Sequence, residues 1–136
     1  MKIICKYNDP SNLPGGIPDD FDYGLVLSKE YLVMGIMTFK NSDNLYFLVD
    51  ENGRPSWFPY QIFEISNKKL PCNWFVKINY ENQFTDYKNL LGFDELCNNE
   101  NFFNQLLERD EYAMRIYFRQ KIELEKELLD QEQISE

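Results

Sequence analysis

The groups that could do chemistry in this 136-residue chain are almost all carboxylates. There are 23 Asp and Glu against 14 Lys and Arg, and histidine is absent. Without an imidazole there is no Ser-His-Asp or Cys-His constellation, no histidine metal ligand and no proton shuttle tuned to neutral pH. Carboxylate-only catalysis would need two acids converging in one pocket, and no spacing in the sequence indicates such a pair, so an enzyme is not expected. The densest acidic group is Asp19, Asp20 and Asp22 beside Pro18 and Gly24. A calcium loop alternates its oxygen ligands and closes on a bidentate acid at a fixed distance. Asp-Asp-Phe-Asp-Tyr-Gly does neither, so the reading is an acidic loop that meets a basic protein surface, with no metal and no cofactor. Glu108 and Glu111 offer the same chemistry further along, and Trp57 is the aromatic candidate for an interface hot spot. Cys5, Cys72 and Cys97 are odd in number, widely spaced and without a CxxC pair, which suits reduced thiols rather than a disulfide framework or a zinc knuckle.

The charge is distributed unevenly. Residues 1–80 hold nine acids and eight bases, whereas residues 81–136 hold fourteen and six. The net −9 is therefore almost entirely a property of the C-terminal part. A pI near 4.5 with no basic cluster beyond Lys68-Lys69 argues against a nucleic-acid partner, which needs a positive groove. No apolar run reaches the roughly 18 residues that cross a bilayer, and the Met1–Lys6 segment is too short in apolar residues for a signal peptide. A soluble cytoplasmic protein with no membrane partner is expected.

The elements that must position these groups divide the same way. A length of 136 residues with 43% apolar content suits one domain with a real core, here 1–136, with a β part over 1–80 and an acidic, mainly helical part over 81–136. Lys2–Tyr7, Leu25–Leu27, Tyr31–Phe39, Leu45–Val49, Arg54–Phe58, Ile62–Ile65 and Asn73–Tyr80 read as strands, separated by Pro- and Gly-rich punctuation. Asn52-Gly53 predicts a tight hairpin, since both residues accept positive φ. Strand alternation sends Trp57 and Phe58 to opposite faces, which fits a barrel core plus packing against the C-terminal helix or, as the alternative, one aromatic exposed for a partner. Asp86–Phe93 fits either a strand or a helix start, broken at Gly92, and Asp94–Cys97 fits one helical turn. Asn98-Asn99 predicts a cap with Glu100 early in the next helix. Apolar residues then recur at Phe102/Phe103, Leu106/Leu107, Tyr112/Ala113, Ile116/Tyr117, Leu124 and Leu128, an amphipathic stripe that Arg109-Asp110 divides. Glu123–Lys126 and Arg119–Glu123 are spaced to pair along its solvent face.

Three segments of the β part carry a resemblance: Lys29-Glu30-x-Leu32-Val33, Tyr46 to Gly53, and Trp57-Phe58-Pro59-Tyr60-Gln61-Ile62-Phe63-Glu64-Ile65. Together they resemble small bacterial and phage SH3-like barrel proteins over residues 1–65. The resemblance implies an α+β protein with a small SH3-like antiparallel β-barrel followed by a C-terminal helical segment, Pro59–Gln61 forming a short turn before the last strand of the barrel. Tyr7 and Tyr60 stand where groove aromatics fall in peptide-binding SH3 domains, but no tryptophan occupies the groove floor, so Pro-rich peptide binding is disfavoured.

Acidic, histidine-free proteins of this size and layout also resemble immunity proteins of polymorphic toxin systems, on size, charge and architecture alone. The function implied is non-catalytic occlusion of a basic bacterial toxin, with Asp19, Asp20, Asp22, Trp57, Glu108 and Glu111 at the contact. The alternative is an SH3-like regulatory or self-assembling module whose C-terminal helix docks its apolar stripe on another subunit, giving a homo-oligomer.

Overall fold

The computed structural model describes residues 1–8, 23–40, 43–79 and 87–134, and the Asp19, Asp20 and Asp22 loop lies outside the described residues. Eight strands and three helices follow in order: β1 Lys2–Cys5, β2 Glu30–Leu32, β3 Gly35–Phe39, β4 Leu45–Glu51, β5 Arg54–Pro59, a 3₁₀ turn Tyr60–Ile62, β6 Phe63–Asn67, β7 Phe75–Ile78, β8 Tyr87–Gly92, α1 Asp94–Asn98, α2 Phe102–Leu107 and α3 Glu111–Ile134. The fold is α+β, with two antiparallel sheets and a C-terminal helix.

One sheet has the order β2-β1-β6, the other β5-β4-β3-β8-β7. The segment that reads as a single strand from Tyr31 to Phe39 serves both. At its midpoint the Val33 N–H donates to the Met1 carbonyl (3.0 Å), whereas the Met34 N–H donates to Leu48 (2.8 Å). The chain leaves one ladder and enters the other between these two residues. Among the described residues no ladder joins β6 to β5, because the 3₁₀ turn separates them, so the strands do not close into one ring. Leu25–Leu27 does not form a strand either. The Val26 N–H goes to the Tyr31 hydroxyl (2.9 Å), the Val26 carbonyl accepts from Lys29, and Ser28 sits at φ +66°, so these residues make a turn.

The five-stranded sheet is a wall between two cores. Along β4, Phe47 and Val49 face Ile3, Tyr31, Val33, Phe58 and Ile62 between the sheets, while Leu48 faces the helices. Trp57 and Phe58 separate as alternation requires. Phe58 joins the inter-sheet core, and Trp57 packs on Phe103 of α2 with ring centroids 5.7 Å apart. The ambiguous segment before Gly92 is β8, which pairs with β3 and brings the C-terminal part into the sheet. Gly35 and Gly92 are cross-strand partners, and α1 seats its buried Leu96 on them. A Cβ on Gly35 would lie 2.8 Å from Leu96 Cδ2 and 3.2 Å from Trp57, and one on Gly92 2.6 Å from Leu96, so only glycine leaves room.

The helical stripe is spent on this wall. Phe102, Phe103, Leu106, Ala113, Ile116, Tyr117, Leu124 and Leu128 are all buried. α2 begins at Phe102, two residues after Glu100, because the Asn99 carboxamide and carbonyl oxygens bond the Asn101 and Phe102 N–H groups and hold Glu100 in a turn ahead of the helix. The division at Arg109-Asp110 is a Schellman ending: Asp110 N–H to Gln105 carbonyl (2.9 Å) and Arg109 N–H to Leu106 carbonyl (3.1 Å). Arg109 fills the left-handed position, φ +60°, that glycine normally takes. Its guanidinium donates to the Pro55 carbonyl on β5, which ties the corner to the sheet. Asp110 then caps α3, its carboxylate accepting from Ala113 N–H at 3.1 Å.

Candidate protein-binding surface

Three polar regions surround this framework, and each has a distinct chemistry. The first is at the Asn52-Gly53 hairpin, whose residues take φ +53° and +72° as the sequence requires. Asp50 and Glu51 precede it and face opposite sides of the sheet. Glu51 accepts from the Lys29 ammonium (2.8 Å) and the Tyr31 hydroxyl, while Asp50 accepts from Lys121 (2.9 and 3.0 Å) and the Tyr117 hydroxyl (2.9 Å). Each triad joins a carboxylate, a phenol and an ammonium. The Lys29 and Tyr31 hydrogen bonds hold the Glu51 carboxyl below its usual range. Burial, followed by the neighbouring Glu51 carboxylate, raises the Tyr31 phenol. Burial, followed by Asp50, raises Tyr117 as well. Both phenols therefore stay protonated as donors at neutral pH. These triads are clamps that fasten the β2 region and α3 to one hairpin. They are not poised bases. Burial likewise lifts the Cys97 thiol to about 11 and raises Cys5, which removes thiolate character from both. The cleft of about 420 Å³ between the clamps has its lysines paired with acids: Lys29 on Glu51, Lys121 on Asp50 and Lys2 on Glu30 at 3.6 Å.

The second region is a cavity of about 690 Å³ along β5, lined by Tyr46, Trp57, Pro59, Arg54 and Arg109 among others. Trp57 is half-buried under Phe103, so it is a wall of this cavity and not a projecting anchor. The cavity's two guanidiniums do not suit a basic partner.

The third region is the α1–α2 shoulder. Asp94, Glu100 and Glu108 are exposed, and none forms an ion pair among the described residues. Arg109, the single base between residues 94 and 111, is committed to the Pro55 carbonyl. Glu108 is therefore displayed as expected. Glu111 is exposed but shares its charge with Arg115 at 3.1 Å, an exposed i,i+4 pair of the kind that contributes little. Along α3 the pairs expected at Arg119–Glu123 and Glu123–Lys126 are not formed among the described residues, and Glu123, Glu125 and Asp130 remain exposed acids interleaved with exposed Arg119 and Lys126. Sequence reasoning placed the charge surplus on residues 81–136 as a whole. The less compensated part is the shoulder, and Asp94 and Glu100 were the members missed. The signal available was the lack of any lysine from Asp94 to Glu111.

Among the described residues no three Cys, Asp or Glu side chains gather as a metal-ligand set, and no helix is long and apolar enough to cross a membrane. In comparisons with protein-family models, with curated proteins and with solved structures, nothing matches this chain.

Proposed function

We propose that this chain is a non-catalytic protein-binding module that captures a basic protein partner through its acidic shoulder, in its most specific form an immunity protein that occludes a basic toxin. The observation that carries this reading is the set of exposed carboxylates without an ion pair among the described residues, Asp94 in α1, Glu100 in the turn before α2 and Glu108 at the end of α2, on a corner fixed to the sheet through Leu96, Phe102 and Phe103. Carboxylates held on rigid elements raise the local concentration of a cationic surface and speed its docking. The interior chemistry favours the same reading: hydroxyls and buried thiols that stay protonated serve as fasteners.

The finer architectural reading is an SH3-like core over residues 1–65. Its support is the sequence of a first strand, a long connection, a strand shared between two sheets, a tight hairpin, a single 3₁₀ turn and a last strand back beside the first. Phe103 covers Trp57 on the outer sheet face, which disfavours use of that face as an aromatic peptide groove.

The test is affinity capture from the native host with the unaltered chain and with Glu100→Lys/Glu108→Lys. A basic protein retained by the first and lost by the second is expected, and its toxicity on expression alone, relieved by co-expression of this chain, would establish the immunity form. Equal retention by both chains contradicts the shoulder as the contact.

A further inference from the structure

The five-stranded sheet ends in two edges, β5 and β7, whose backbone groups have opposite fates. Across Asn52-Gly53 the hairpin closes on Glu51 and Arg54, so that pair is hydrogen-bonded and the type of pair alternates from there. Pro55, Trp57 and Pro59 consequently take the positions whose backbone groups point away from β4. Two of the three are prolines with no N–H to offer, and the Pro55 carbonyl is already occupied by Arg109. β5 is closed to another strand.

β7 is not. The Asn79 N–H donates to the Lys88 carbonyl at 3.0 Å, which sets the parity of the β7–β8 ladder. Phe75 and Lys77 bond toward β8, while Val76 and Ile78, opposite Leu91 and Asn89, turn their N–H and C=O groups outward. No described strand takes them up. The side chains are as open as the backbone: Phe75 is 47% exposed, Ile78 50%, and Val76, at 62%, is the most exposed large apolar side chain among the described residues. Proteins usually blunt such an edge with charged side chains, proline, a bulge or a covering element, and Lys77 is the single charge on β7.

We propose that β7 pairs antiparallel with β7 of a second copy of this chain, Val76 facing its own equivalent across a two-fold axis. Parity admits a two-fold axis centred on Val76 or on Lys77, and charge decides between them. Centring on Lys77 would set two ammonium groups directly opposite each other, which is destabilising. Centring on Val76 makes a hydrogen-bonded pair of the two valines, sets each Lys77 beside the ring of the other copy's Phe75 and each Ile78 beside the other copy's Trp74. A foreign strand is a poorer occupant. A basic one would meet Lys77, whereas the second copy in this register places that lysine beside an aromatic ring. A mostly apolar strand fits, and the second copy supplies one whose single charge the register sets beside Phe75. The contact continues the sheet from five strands into ten, and it does not use α3, whose apolar stripe is already buried. A four-residue edge is small beside the ~1,200–2,000 Å² of a stable interface, so the dimer is reversible and concentration-dependent. The two acidic copies repel, so added salt strengthens it.

Sedimentation of the purified chain tests this. The mass is expected to rise from 16.4 kDa toward twice that value with increasing concentration, and at lower concentration when salt is added. Hydrogen exchange at the Val76 and Ile78 amides should slow over the same range. Val76→Lys should stay monomeric with an unchanged circular dichroism spectrum, while Ile122→Lys on the outer face of α3 should dimerise like the parent. A monomer under all conditions overturns the proposal. So does a dimer that survives Val76→Lys, or one in which the Val76 amide exchanges as fast as in the monomer.

Discussion

The α1–α2 shoulder and the β7 edge are both left open, but with opposite chemistry. The shoulder offers carboxylates with almost no bases among them. The edge offers apolar side chains and amides that no described strand takes up, around one lysine. Salt separates the two. It screens the attraction between the shoulder and a cationic surface, and it screens the repulsion between two copies meeting at β7. One molecule can therefore carry two interactions that respond to ionic strength with opposite sign. Between the two regions the sheet is packed on both faces, against the helices on one side and the three-stranded sheet on the other.

Substitutions sharpen this contrast, since those in the packed part should cost stability and those in the open regions should cost association alone. The largest effect is expected at Gly35→Ala, where the new methyl meets Leu96 and Trp57 in a packed core; about 1–3 kcal/mol should be lost in denaturant unfolding. Arg109→Ala keeps the left-handed backbone while removing the guanidinium from Pro55, for a loss of about 1–2 kcal/mol. Arg109→Gly should recover part of that loss by relieving the backbone, and equal losses for the two would show that φ at Arg109 carries no strain.

Glu51→Gln should cost about 1–2 kcal/mol at neutral pH, because its partners Lys29 and Tyr31 would lose a charged acceptor. The sign with pH follows from the depressed carboxyl. Its stabilisation is complete above the ordinary glutamate range and is lost as pH falls through the lower folded value, so parent and variant should converge in acid. A gap that persists at low pH would assign the loss to packing instead. The smallest stability change belongs to the open regions: Val76→Lys and Glu108→Lys should each stay within about 0.5 kcal/mol of the parent in thermal melts.

Much of the fold was legible because it is local. Asn52-Gly53 specified its hairpin through two residues that accept positive φ, and Arg109-Asp110 was legible as a division in the helical stripe, though not as a left-handed ending followed by a cap. β8 was ambiguous for a physical reason. Its pairing with β3 joins residues about fifty positions apart, and Tyr87–Gly92 has buried positions without strict alternation. The ion pairs were misjudged where tertiary geometry overrode helical spacing: Lys121 reaches Asp50 on the sheet, while Arg119 and Glu123, four residues apart, do not meet. Trp57 was read correctly as facing away from Phe58, but no local pattern could show that Phe103 would cover it. At the site, Glu108 was legible as an exposed acid, and the role of Asp94 and Glu100 emerged only when α1 and α2 were seen to form one corner.

The most direct measurement of the central claim is the dissociation constant of the captured basic partner over a series of sodium chloride concentrations. Carboxylate-led recognition requires affinity to fall steadily as salt rises, with a shallower dependence for Glu100→Lys/Glu108→Lys. Affinity that holds constant across the series, in parent and variant alike, would contradict it.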